Sequence, residues 1–245
     1  MKSCSINNCS APDDNKNNFG FIDLNDAYGM IRCLTSNNCK FSRTLFFDGK
    51  NSALNISDTS ILQNNEHCGS IYSCGGNVEE IRINVSQCRA KENGGYYLIS
   101  STLTKFEYNI LQNTTTNGPS CIYIEAPKKE LKYCLIMGNT CSDNFQCAIF
   151  RFKGELTIIY FQFIENKGPL IYSTDNSKFN IKNSYYDSKI DSSVIKTIEG
   201  SKTQTFSLNL TQSQCIIDSK CLSKTPYISN EINPLEIRHF RLSRH

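Results

Sequence analysis

Short apolar triplets recur along this chain at nearly constant spacing, and that repeat limits the possible folds more than any other feature. They are Leu45-Phe46-Phe47, Ile71-Tyr72-Ser73, Tyr97-Leu98-Ile99, Ile122-Tyr123-Ile124, Ala148-Ile149-Phe150, Leu170-Ile171-Tyr172 and Val194-Ile195-Lys196. Their centres lie 26, 26, 25, 26, 22 and 24 residues apart. A second, alternating segment precedes each of the later triplets, as in Leu54–Ile61, Ile81–Val85, Phe106–Ile110, Leu156–Tyr160 and Phe179–Ile181. Alternation with period two is the mark of a half-buried strand, and β-branched and aromatic side chains favour it.

Asn and Gly punctuate the strands: Gln63-Asn64-Asn65, Glu92-Asn93-Gly94-Gly95, Gln112-Asn113, Gly138-Asn139 and Glu165-Asn166-Lys167-Gly168. These residue types enter the left-handed region of backbone space at little cost. No repeat holds an amphipathic helix of useful length, which removes the helical solenoids. An antiparallel sandwich would need hairpin signals every 8–12 residues or so, and Asn-Gly steps occur only at Asn93-Gly94 and Asn117-Gly118. The pattern therefore predicts an all-β, right-handed parallel β-helix, a solenoid of about seven to nine coils stacked ~4.8 Å apart. The triplets are expected to stack in one sheet.

The 245-residue chain carries 39% hydrophobic residues and a net charge of +3. That is enough apolar material for a core, and too small a positive surplus for a nucleic-acid footprint. Asn and Ser together supply 55 residues. Five N-x-S/T sequons, at Asn8, Asn55, Asn84, Asn113 and Asn209, are about what such a composition gives by chance. The opening residues lack the apolar run of a signal peptide, and no stretch is apolar enough for a membrane span. Residues 1–25 read as a polar first coil or cap, 26–221 as the β-helix, and 222–245 as a non-repeating tail or cap.

Apolar-x-x-Asn units after an alternating strand occur at Ile110-Leu-Gln-Asn113, Ile136-Met-Gly-Asn139 and Phe163-Ile-Glu-Asn166. They resemble the FxxN-type repeats of the polymorphic outer-membrane-protein-like β-helix surface proteins, which share the pectin-lyase-like fold. Gly94-Gly95-Tyr96-Tyr97 resembles the companion Gly-Gly-Ala-Ile motif in degenerate form. The resemblance spans about residues 26–200. It implies a non-catalytic, adhesin-like scaffold at the cell surface or outside the cell, with a host protein or glycan as partner. Members of that family usually carry export and anchoring segments, and since none is read in this sequence the resemblance implies a truncated, degenerate or wrongly started reading frame.

Many parallel β-helices are polysaccharide lyases or hydrolases, so a carbohydrate-active enzyme is the alternative. Such an enzyme needs clustered carboxylates on one face of neighbouring coils. At coil offsets the sequence gives only Asp58 near Arg82 and Glu107 near Lys132, while Glu79 and Glu80 point to opposite faces of a strand. The expectation is no catalytic, cofactor-binding or metal-binding residue and no cofactor. Thirteen cysteines include four Cys-x5-Cys pairs, at Cys33/Cys39, Cys68/Cys74, Cys141/Cys147 and Cys215/Cys221. The site residues expected are structural. Asn64, Asn113, Asn139 and Asn166 hold the turns, and the last three of these occupy equivalent corners as a ladder. Cys121 and Cys147 each precede a triplet centre by two residues, so they are expected to stack on adjacent coils, as core thiols or as a disulfide. Cys68 and Cys74 flank a strand and are not expected to pair.

Overall fold

A computed structural model describes residues 4–7, 20–25, 28–41, 43–48, 53–66, 70–99, 102–142, 147–173, 177–188, 190 and 195–200. Among them every regular element is a strand, and every strand pairing is parallel. The chain is a parallel β-solenoid.

Each coil is built in the same order. A first face holds the triplet strands, such as Arg43–Asp48, Ile71–Cys74 and Tyr96–Ile99. A second face holds the alternating strands, such as Thr102–Glu107 and Lys178–Lys182. Ser120–Lys132 and Ala148–Ile159 run unbroken through both. A sharp corner leads to a third face, with Leu34–Asn37, Ile110–Gln112, Leu135–Met137 and Gln162–Ile164. A second corner leads to two-residue strands that form a separate five-stranded sheet, from Lys40–Phe41 to Thr140–Cys141. About five turns therefore carry every segment, fewer than the seven to nine expected. Cys4–Asn7 already pairs in parallel with Leu34–Asn37, so part of the polar N-terminal stretch contributes a rung. The 222–245 tail lies outside the described residues.

Both corners follow one rule. A residue in left-handed conformation turns the chain, and the residue after it points inward. The first corner is made by Cys33, Asp58, Arg82, Tyr108, Tyr133, Tyr160 and Asn183, with φ between 48° and 60°. The second is made by Asn38, Gln63, Gln87, Asn113, Gly138 and Glu165, with φ between 51° and 63°. Only one of these thirteen residues is a glycine, so each coil carries some backbone strain that stacking with its neighbours must offset.

The core is the stack of inward side chains. Leu45, Ile71, Tyr96, Ile122, Phe150 and Ile171 form one buried column, each paired with the next coil. Phe150, Phe161, Phe163 and Phe179 fill the C-terminal coils with ring contacts 5.8–6.5 Å between centroids. Each such side chain contributes roughly 1.5–3 kcal/mol by leaving water. Where the Ser120–Lys132 strand meets Ala148–Ile159, the register slips between Ala126 and Lys128. Pro127, which has no N–H to offer a ladder, takes the extra position. Gly154 lies opposite with φ +113°, and a Cβ there would run into the Ala126 carbonyl oxygen.

The triplets stack as expected only in part. Phe46 lies level with Tyr72, but Tyr72 then pairs with Tyr97, Tyr97 with Tyr123, Tyr123 with Arg151 and Arg151 with Tyr172. The expected centres at Leu98, Ile149 and Ile171 are thus displaced by one or two residues. Ile195 belongs to the second face, where it pairs with Phe179.

Candidate binding surface

Asn113, Asn139 and Asn166 were expected at equivalent corners; Asn139 and Asn166 are equivalent to each other and to Asn64, and Asn113 is not. Asn64, Asn139 and Asn166 all occupy the inward position after the second corner and are 1%, 0% and 9% exposed. Asn64 Oδ1 accepts the Cys39 N–H at 2.9 Å, and its Nδ2 donates to Ser36 Oγ and Thr44 Oγ1. Asn139 Oδ1 accepts the Thr114 N–H at 2.9 Å, and its Nδ2 donates to the Leu111 carbonyl and to Asn166 Oδ1. Asn166 Oδ1 also accepts the Asn139 N–H, and its Nδ2 donates to the Ile136 carbonyl. The corner turns a backbone carbonyl away from its neighbour, and the amide side chain of the next coil replaces it.

Asn113 is the exception and corrects the expected ladder. Leu111 pairs with Ile136 and Gln112 with Met137, so Asn113 lies level with Gly138 and Thr114 with Asn139. Asn113 is the left-handed residue of its corner and is exposed. The apolar-x-x-Asn spacing therefore covers two different positions. Asn109, which the sequence reading overlooked, does the buried work at the first corner: its Oδ1 accepts the Ile83 N–H and its Nδ2 donates to the Glu80 carbonyl.

The cysteines also differ from expectation. Ile122 lies opposite Phe150, which leaves Cys121 level with Ile149 rather than with Cys147. Cys147 instead bonds Cys141 in a disulfide with Cα atoms 6.2 Å apart. Cys121 is a reduced, fully buried thiol, pushed up to about 12 by burial. It is inert packing, because the thiolate needed for reaction is inaccessible. The expected stack of Cys121 on Cys147 fails because the Ala148–Phe152 run pairs two residues later than the spacing of its apolar triplet indicates. Cys68 lies outside the described residues.

Two outward columns of tyrosine run along the solenoid. On the first face Tyr72, Tyr97 and Tyr123 stack with centroids 4.8 and 5.0 Å apart and planes within 21°. Arg43 covers the Tyr72 ring at 3.8 Å, and Arg151 lies between Tyr123 and Tyr172 at 5.9 and 5.3 Å. At the first corner Tyr108, Tyr133 and Tyr160 stack at 4.9 and 5.2 Å with planes within 14°. All six are half-buried. Their faces are covered by one another, so each column presents ring edges and hydroxyls in a row. Burial, and then the bond from its hydroxyl to Glu125 Oε2, push Tyr123 up to about 12, so it stays a protonated hydrogen-bonding group at physiological pH. Lys153 bonds Glu125 at 2.8 Å and holds that carboxylate below its usual range. The signal for both columns is in the sequence as Tyr recurring at 25 to 27 residues, on the faces opposite the apolar triplets' buried positions.

The carboxylates sit apart. Asp58, at the first corner, accepts Arg82 Nε at 2.6 Å and Arg82 Nη2 at 3.0 Å, with Arg32 Nε at 3.3 Å. The expected coil-offset partners Asp58 and Arg82 thus form an ion pair, and Glu107 and Lys132 are register mates. Glu79 accepts Asn55 Nδ2 on the outside, while Glu80 points into the core. Among the described residues no group of three or more His, Cys, Asp or Glu side chains is placed to hold a metal ion, and no helix is long and apolar enough to cross a membrane.

No protein-family model, characterised protein or solved structure matches this chain.

Proposed function

We propose that the chain is a non-catalytic binding scaffold, adhesin-like and displayed at a cell surface or secreted, whose partner is a host protein or glycan. The observation that carries this reading is the Tyr72–Tyr97–Tyr123 column with Arg43 and Arg151 at its ends. A rigid row of aromatic edges and hydroxyls, with the half-buried Arg151 guanidinium beyond Tyr123, offers contact area at low cost in side-chain entropy, and Tyr and Arg are favoured in interfaces; the buried Arg43 packs on the Tyr72 ring and holds that end of the row. The Cys141–Cys147 disulfide fits an oxidising compartment. The apolar-x-x-Asn units add the likeness to the polymorphic outer-membrane-protein-like solenoids.

The test is binding of the purified chain to arrays of glycans and of extracellular proteins, beside an assay for reducing ends released from polysaccharides. The Tyr97→Ser/Tyr123→Ser variant is compared with Tyr108→Ser/Tyr160→Ser, each checked for native circular dichroism. Saturable binding that only the first variant loses supports the reading. Release of reducing ends by the wild type overturns it in favour of a carbohydrate-active enzyme.

A further inference from the structure

We infer that Asn113 is the attachment site of an N-linked oligosaccharide. The inference rests on the extracellular reading above and adds to it a modification that the fold itself selects.

Five sequons are too many to be informative as sequence. Read against the coil, they are not equivalent. Asn8 and Asn209 lie outside the described residues. Asn55 is half-buried, and its Nδ2, the atom a glycan would occupy, donates to Glu79 Oε2 at 2.9 Å on the next coil. Asn84 is 6% exposed, accepts the Ser86 hydroxyl at 2.5 Å, and stands in the ladder between Ser60 and Ile110. A sugar on either amide would have to break the coil stacking.

Asn113 is placed differently. Its left-handed φ of 52° puts it at the apex of the second corner, where the chain leaves one strand and has not begun the next. Its N–H is bonded to the Met137 carbonyl, so the backbone is fixed while the side chain lies exposed. The position level with it on the next coil is Gly138, which offers no side chain to compete for the space, and a Cβ there would meet Asn113 Oδ1. The +2 residue of the sequon, Thr115, is exposed as well. The same register that removes Asn113 from the buried ladder delivers it to solvent.

The chemistry is a glycosyl transfer from a lipid-diphosphate-linked oligosaccharide, catalysed by a membrane transferase of the secretory route. The Asn113 amide nitrogen attacks C1 of the first sugar. The N–C bond forms as the C–O bond to the diphosphate breaks. The lipid diphosphate leaves with the electron pair, and the amide proton passes to a base of the transferase.

The experiment directs the full chain, behind an added signal peptide, into the secretory route of cultured eukaryotic cells and, in parallel, into microsomes during cell-free translation. Occupancy is read by mass spectrometry of glycopeptides and by a gel shift that peptide-N-glycosidase removes. The expected result is an occupied Asn113 with unoccupied Asn55 and Asn84 in secreted protein, the Asn113 glycopeptide lost in Asn113→Gln and Thr115→Val and kept in Thr115→Ser. An unmodified Asn113 in secreted protein overturns the proposal. Where no protein is secreted, the microsomal chain decides it by the same criterion. Because entry to the secretory route is imposed, a negative result counts against the site and not against the native location, which fractionation of the source cells tests separately.

Discussion

The side-chain amide of Asn139 donates to Oδ1 of Asn166, one coil further on, across 3.1 Å. The same oxygen accepts the Asn139 N–H, so the later coil supplies the acceptor that the earlier coil's corner lacks. Asn139→Ala leaves the Thr114 N–H and the Leu111 carbonyl without their side-chain partner, and should destabilise by about 1–3 kcal/mol in urea unfolding. Asn113→Gly changes an exposed left-handed residue to the type that prefers that conformation. It should be neutral or stabilising by up to about 1 kcal/mol. Equal losses at the two positions would mean that they are equivalent corners after all.

The contrast shows what the sequence made legible. A repeat near 25 residues, its alternating strands and its Asn corners are enough to give the parallel solenoid, because period and residue type report backbone geometry directly. Register within a coil is harder. Ala148-Ile149-Phe150-Arg151-Phe152 has an apolar side chain at four of five positions, and only the outward Arg151 fixes which of them face the core. Similarly, Gly138 and Asn139 take the left-handed and inward positions that Asn113 and Thr114 hold one coil earlier, so spacing to the nearest Asn misleads. The tyrosine columns escape a search for buried triplets because their repeat is on the outside.

Asp58 and Arg82 should respond asymmetrically to deletion. The Asp58 side chain is fully buried and that of Arg82 is 20% exposed. Arg82→Ala therefore takes two charge-assisted bonds from a buried carboxylate, and should cost about 3 kcal/mol. Asp58→Ala leaves its guanidinium partners in reach of water and should cost less, about 1–2 kcal/mol. Chemical denaturation of both variants at one salt concentration gives the ranking, and the reverse order would contradict the assigned geometry.

Glu80 makes stability depend on pH. Both its carboxyl oxygens are buried without a hydrogen-bond partner, and burial raises the group from 4.5 to about 8. Between these values the folded chain keeps a proton that the unfolded chain releases. The contribution of this group to stability therefore falls as pH rises from about 4.5 to 8, by about 1.4 kcal/mol per pH unit at most. Glu80→Met should remove that slope and raise the unfolding midpoint more at pH 8 than at pH 5. Parallel wild-type and variant profiles would exclude a buried, protonated Glu80.

The Cys141–Cys147 disulfide closes a short loop, and its reduction should lower stability by about 2 kcal/mol on chain-entropy grounds. Peptide mapping without reductant should recover Cys141 linked to Cys147. Cys121 should be alkylated only after unfolding. A Cys121–Cys147 peptide would contradict the register.

The coil register underlies the turn ladder, the exposed Asn113 and the tyrosine surface alike. Its most direct test is the pattern of nuclear Overhauser effects between aromatic rings in solution. Cross-peaks are expected from Tyr97 to both Tyr72 and Tyr123, and from Tyr133 to both Tyr108 and Tyr160, at the 4.8–5.2 Å centroid separations of the two columns. Tyr97 rings that see neither neighbour, or a Tyr123 ring that sees Tyr133 in place of Tyr97, would contradict it.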